Sequence, residues 1–80
     1  MPTLRLFAQA REAAGTGADV IDGDTVGDVL DGATDRYGAA FAAVLPICRV
    51  WVNGEPADRA AAVANSDEVA VLPPVSGGAG

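Results

Sequence analysis

Apolar and polar positions alternate at the start of the chain. Leu4, Leu6 and Ala8 fall on one side and Thr3, Arg5, Phe7 and Gln9 on the other, the period of a half-buried strand over residues 3–9. Gly15-Thr16-Gly17 then marks residues 11–17 as a turn or loop. Residues 18–22 read as a short second strand that Gly23 ends. The period next changes to that of a helix: Val26, Val29, Leu30, Ala33 and Tyr37 share one face, and Asp24, Asp28, Asp31 and Asp35 lie along the other. Thr25 is placed to cap this helix, with Asp28 in the acidic version of a capping box, and Gly38 is placed to stop it. Gly27 and Gly32 inside it each cost about 0.8–1 kcal/mol relative to alanine, so packing has to hold it together.

Residues 39–45 carry no clear period and are expected to form a poorly ordered or partly helical connector, closed by Pro46. Residues 47–52 form a strong strand pattern, followed by Asn53-Gly54, the dipeptide favoured in a type I′ hairpin turn. A very short strand near residues 55–57, a loop and a last strand over residues 68–72 complete the pattern before Pro73-Pro74. The order strand, strand, helix, strand, short strand, strand predicts an α+β domain of four to five strands with one main helix on one face of the sheet. Period-2 alternation assigns Leu4, Leu6, Cys48, Val50, Val52, Val69 and Val71 to the core. It turns Arg5, Phe7, Arg49, Trp51, Ala70 and Leu72 outward. Phe7, Trp51 and Leu72 would then form an apolar patch flanked by Arg5 and Arg49, residue types enriched at interface hot spots.

Composition narrows the chemistry. Half of the 80 residues are apolar, which suits a globular chain read as one domain. No signal peptide pattern opens it and no apolar run spans a bilayer, so a cytoplasmic protein with no membrane partner is expected. The net charge is −6, with 11 acidic residues against five arginines and no lysine, which argues against a nucleic-acid partner and for basic protein surfaces. With no histidine and one cysteine, Ser–His or Cys–His catalysis and a thiolate–imidazole metal site are excluded for this chain alone. Cys48 is read as a small core residue, the aspartate stripe as a solvated face and Arg11-Glu12 as a surface pair.

Three segments together resemble one family. Leu6-Phe7-Ala8-Gln9-Ala10-Arg11-Glu12 resembles the opening of the MoaD-type small subunit of molybdopterin synthase. Val52-Asn53-Gly54-Glu55 resembles the hairpin shared by MoaD-type and ThiS-type sulfur carriers. Residues 67–78, ending Pro73-Pro74-Val75-Ser76-Gly77-Gly78, resemble the closing strand and tail of the MoaD type. The resemblance implies a ubiquitin-like β-grasp domain over residues 1–75 and a flexible glycine tail over residues 76–80. It also implies the chemistry of the tail. An ATP-dependent, E1-like activating enzyme would adenylate the terminal carboxylate, and a sulfurtransferase donor would supply the sulfur that makes it a thiocarboxylate. The synthase large subunit would pass that sulfur to a cyclic pyranopterin for the molybdenum cofactor. No bound cofactor is implied, only a transient acyl-adenylate and thiocarboxylate, and no side chain of this chain is catalytic. Phe7 and Leu72 match positions of the family's docking face.

The tail departs from the family pattern in one respect: Ala79-Gly80 follow the Gly-Gly pair. Either Gly80 is the residue activated or trimming exposes Gly78, with Ser76 and Gly77 forming the approach. Glycine lets backbone come close to a reacting centre, and the two prolines hold the base of the tail extended. Six extended residues from Val75 reach roughly 20 Å at about 3.3 Å each. Three other readings stay open: a sulfur carrier for thiamin or cysteine synthesis, a ubiquitin-like protein modifier, and a binding module without tail chemistry.

Overall fold

A computed structural model describes residues 1–74 of the chain. The expected domain edge at residue 75 and the tail beyond it lie outside the described residues. The elements are β1 (Thr3–Leu6), α1 (Ala8–Ala14), β2 (Ala18–Val20), α2 (Val26–Tyr37), α3 (Ala39–Val44), β3 (Arg49–Val52), β4 (Glu55–Pro56) and β5 (Glu68–Leu72), with a 3₁₀ turn at Leu45–Ile47 before β3. The five strands form one mixed sheet in the order β2-β1-β5-β3-β4. Only β1 and β5 run parallel, with Leu4 beside Val69 and Leu6 beside Val71. On its other side β5 pairs antiparallel with β3, Arg49 beside Leu72 and Val52 beside Val69. This is the expected ubiquitin-like β-grasp arrangement, with all the helices sharing one core on one face.

The core joins alternate strand residues to the apolar faces of the helices. Leu4, Val69, Val71, Val26, Val29, Ala33, Ala10 and Phe41 are all 0% exposed. Cys48, Val50 and Val52, assigned inward by alternation, pack against this cluster but stay half-buried, with Cys48 and Val50 lining an edge cleft beside Leu30. Cys48 Sγ donates to the Val44 carbonyl at 3.3 Å, and burial pushes its thiol up, so it behaves as a packed core residue.

Helix α2 begins as its sequence indicates. Thr25 Oγ1 accepts from the Asp28 amide at 3.1 Å. The Asp28 carboxylate reaches back to the amide of Asp24, at 3.2 Å, rather than to that of Thr25. The glycines within α2 are sites of close approach: a Cβ on Gly32 would lie 2.8 Å from Ile21 Cγ2, and one on Gly27 would lie 3.2 Å from the Arg59 carbonyl. At the turn between β3 and β4, Asn53 and Gly54 have φ of 50° and 84°, the left-handed pair a type I′ turn requires. Asn53 also ties this turn to β5: its Oδ1 accepts from the Glu68 amide, and its Nδ2 donates to Asp67 Oδ1, both at 2.9 Å.

Three segments differ from the sequence expectation or sharpen it. Strand β1 ends at Leu6, and residues 8–14, read as strand end and loop, form α1. Ala, Gln, Arg and Glu are strong helix formers, but a stretch apolar only through alanine shows little periodicity. Gly15, at φ 80°, ends α1 as its amide donates to the Arg11 carbonyl at 2.9 Å. Residues 39–44, expected within a poorly ordered or partly helical connector, take the helical alternative as α3. A six-residue helix is marginal alone, and burial of Phe41 is what holds it in place. The strand expected from residue 47 starts at Arg49, because Pro46 and Ile47 complete the 3₁₀ turn.

Tyr37 packs edge-on against Phe41, ring centroids 5.3 Å apart, and its hydroxyl donates to Asp19 Oδ2 at 2.6 Å. The Tyr37 hydroxyl, the Val20 amide and the Arg36 guanidinium together hold the Asp19 carboxyl below its usual range. A depressed carboxyl contributes stability above its unfolded value, and that stability is lost as pH falls through the folded one. Tyr37→Phe should therefore cost about 1–2 kcal/mol near neutrality, with the gap from wild type closing as pH drops below 3.8 in urea titrations. Phe41→Ala should cost about 3–5 kcal/mol in the same measurement, since a fully buried ring leaves a cavity.

Candidate functional site

The face of the sheet opposite the helices brings together the outward-pointing residues in two rows. In the first, Ala70 lies between Arg5 on β1 and Trp51 on β3. In the second, Leu72 lies beside Arg49, and Phe7 continues past β1 with its amide donating to the Val71 carbonyl at 3.3 Å. The second row adjoins Pro73-Pro74, the base of the tail. Phe7 is 40% exposed, Leu72 is half-buried, and Arg5 and Arg49 are exposed. Arg5 pairs with Glu68 at 3.5 Å.

Trp51 occupies a position only partly anticipated. It is half-buried, and with Arg49 it lines a cleft of about 380 Å³ at the β3–β4 edge, together with Pro56, Arg59, Val26 and Leu30. The cleft continues toward α3 as a second hollow of about 510 Å³ between Leu30, Thr34, Ala42, Leu45 and Val50. The pattern of Ile47 predicts a strand position. Ending the 3₁₀ turn instead, it stands 58% exposed two residues before Arg49. Pro46 is the sequence signal that could have separated Ile47 from the strand. The tail residues Ser76, Gly77, Gly78 and Gly80 lie outside the described residues.

Phe7 owes its position to the backbone beside it. Its own φ and ψ are extended, −129° and 151°, and the next residue, Ala8, has φ 51°. That left-handed residue ends the strand and swings α1 away, which leaves Phe7 at the margin of the open face. The Phe7 carbonyl accepts from the amides of Ala10 and Arg11 at 3.1 and 3.3 Å, fixing the turn.

The chemistry available on this face is that of recognition. It carries aromatic, aliphatic and guanidinium groups with the Glu68 carboxylate beside Arg5, and the half-buried thiol of Cys48 packs toward the helices. Among the described residues no group of three or more His, Cys, Asp or Glu side chains is placed to hold a metal ion. No helix among them is long and apolar enough to cross a membrane.

Comparison with known proteins agrees with this arrangement. The ThiS family model matches residues 4–78, from β1 to the second glycine of the tail pair. Small archaeal modifier protein 1 of Haloferax volcanii is 40% identical over 84 aligned residues, covering 92% of this chain and 97% of the relative. Its crystal structure superposes with a TM-score of 0.77 at 37% identity, over 92% of this chain and 94% of that one. The solution structure of small archaeal modifier protein 1 from Methanosarcina acetivorans gives a TM-score of 0.83 at 31% identity, covering 92% of each chain. A Pyrococcus furiosus protein described as molybdopterin converting factor, subunit 1, has a TM-score of 0.76 at 23% identity over 91% of this chain and 95% of its own, a likeness of fold.

The left-handed Ala8 yields a test of how Phe7 is held. Alanine to glycine within a helix ordinarily costs about 1 kcal/mol. At φ 51° the change instead removes steric strain, so Ala8→Gly should leave stability unchanged or raise it by up to about 1 kcal/mol in chemical denaturation.

Proposed function

Because this chain belongs to the ThiS family of ubiquitin-like sulfur carriers, we propose that it carries sulfur as a thiocarboxylate on a C-terminal glycine, Gly78 after trimming or Gly80 without it. The observation that carries this reading is the family match running through the Pro-Pro-Val-Ser-Gly-Gly segment, with β5 at the centre of the sheet leading into Pro73. The chain supplies no catalytic side chain; it presents a backbone carboxylate to other enzymes.

The chemistry follows from the weakness of a carboxylate as an electrophile. In an activating enzyme a tail oxygen attacks the α-phosphorus of ATP and pyrophosphate leaves, giving an acyl-adenylate. A sulfide equivalent from a sulfurtransferase donor then attacks the acyl carbon, and AMP leaves with the electron pair of the C–O bond. The resulting thiocarboxylate is anionic near neutral pH and more nucleophilic than the carboxylate it replaces. As the small subunit of molybdopterin synthase, the chain would place this sulfur in the large subunit's active site for transfer to a cyclic pyranopterin. The resemblance of its first strand and tail to the MoaD type supports that role. Phe7, Leu72, Trp51, Arg5 and Arg49 are the residues we assign to docking both partners.

A second reading is favoured by the 40% identity to small archaeal modifier protein 1: the activated tail could be joined to lysine amines on other proteins. This chain contains no lysine of its own, so its side chains would not accept a further copy by isopeptide linkage.

Incubating the thiocarboxylated chain with the synthase large subunit and cyclic pyranopterin separates the readings. Formation of the dithiolene, with the tail returned to a carboxylate, is expected of the synthase subunit. Failure to form it, with glycine-tail remnants found on lysines of cellular proteins by peptide mass spectrometry, would favour the modifier. A chain lacking residues 77–80 that retained full activity in either assay would contradict both.

A further inference from the structure

Strand β2 forms one edge of the sheet, and an open edge offers main-chain donors and acceptors to another strand. Its pairing with β1 fixes which groups those are. The Leu6 amide donates to the Gly17 carbonyl at 3.0 Å and the Ile21 amide to the Pro2 carbonyl at 3.2 Å, with Leu4 opposite Asp19 between them. Antiparallel alternation therefore gives the Asp19 main chain to β1 and turns the amides and carbonyls of Ala18 and Val20 outward.

Each of these outward groups is occupied by a side chain of the same molecule. Thr16 Oγ1 accepts from the Ala18 amide at 3.4 Å and donates to the Ala18 carbonyl at 2.9 Å. Asp19 Oδ1 accepts from the Val20 amide at 2.8 Å. Arg36, in the last turn of α2, donates to the Val20 carbonyl at 3.1 Å and pairs with Asp19 at 3.0 Å. The Tyr37 hydroxyl holds the other Asp19 oxygen at 2.6 Å. At the opposite edge of the sheet, β4 ends in Pro56, which has no N–H to offer.

We propose that Thr16, Asp19 and Arg36 close the edge of β2 against a second copy of this chain. Set antiparallel beside the same strand of a copy, Ala18 would exchange main-chain bonds with Val20 of the copy and Val20 with its Ala18, joining two sheets into one. Val20, 46% exposed, would be covered by that pairing. The same two-fold register sets Asp19 directly opposite Asp19 of the copy, and like charges so placed destabilise a strand pair. The Tyr37 hydroxyl, the Val20 amide and the Arg36 guanidinium hold this carboxyl below its usual range, so it is charged near neutrality. Asp19 thus acts twice, by occupying the Val20 amide and by repelling its own copy. None of these residues takes part in the tail chemistry.

The test is sedimentation equilibrium of the intact chain over a range of concentrations, with circular dichroism to check that each variant is folded. The wild type should sediment as a monomer. Thr16→Val combined with Asp19→Asn and Arg36→Gln should self-associate about tenfold more tightly or better, as a dimer in which deuterium exchange of the Val20 amide is slowed. Asp19→Asn alone should give the same dimer more weakly. Its side-chain oxygen can still take the Tyr37 hydroxyl, which leaves an NH2 group rather than an acceptor beside the Val20 amide. If the triple variant loses its fold, Asp19→Asn decides alone. Adding Val20→Pro to either should restore the monomer, because it removes an outward N–H that β1 does not use. Asp35→Asn, the same charge change at an exposed position of α2, should stay monomeric. Folded variants that stay monomeric, or a dimer that survives Val20→Pro, would overturn the inference. So would a wild-type dimer that Val20→Pro dissociates.

Discussion

Everything in this molecule is organised by the pairing of β5 on both of its edges. Strand β5 accepts β1 in parallel on one side and β3 antiparallel on the other, while Val69 and Val71 press into the core at 0% exposure. A strand bonded on both edges and sealed on one face is among the last elements to open in a small domain. The same strand leads directly into Pro73-Pro74. On the carrier reading proposed above, a stiff base reduces the conformational freedom lost on docking.

The two faces of the sheet divide the remaining work. One carries the core, closed by α2 and by the smaller α1 and α3. The other stays open because Arg5, Arg49, Ala70 and Leu72 alternate with the buried residues of the same strands. No separate device creates the open face; it is the remainder of the pleat that makes the core. Only Phe7 needs additional help, and the left-handed Ala8, two residues past the end of β1 at Leu6, supplies it by turning the chain away.

Much of this was legible in the sequence because the long elements carry unambiguous periods. The apolar spacing of Val26 through Tyr37, the alternation around Val69 and Val71, and Asn53-Gly54 each specify local geometry by themselves. What escaped was short or depended on contacts far along the chain. Helix α1 is masked by its alanines, and α3 exists because Phe41 finds a cavity between α1 and α2 that no local pattern announces. Trp51 alternates as an open-face residue, yet the short β4 and the loop after it form an edge cleft around it. Ile47 looked like strand and became surface because a proline precedes it. The glycines of α2, costly by propensity alone, make sense once Ile21 and Arg59 are seen against them.

The central claim is that this fold exists to present an activatable glycine carboxylate. Intact-protein mass spectrometry tests it most directly, after the chain is incubated with ATP, a sulfur source and the activating enzyme from its own cell. The account predicts a gain equal to the mass difference between sulfur and oxygen, carried either by the chain ending at Gly80 or by one trimmed to Gly78. No gain on either form, with the enzyme shown to be active on another carrier, would contradict it.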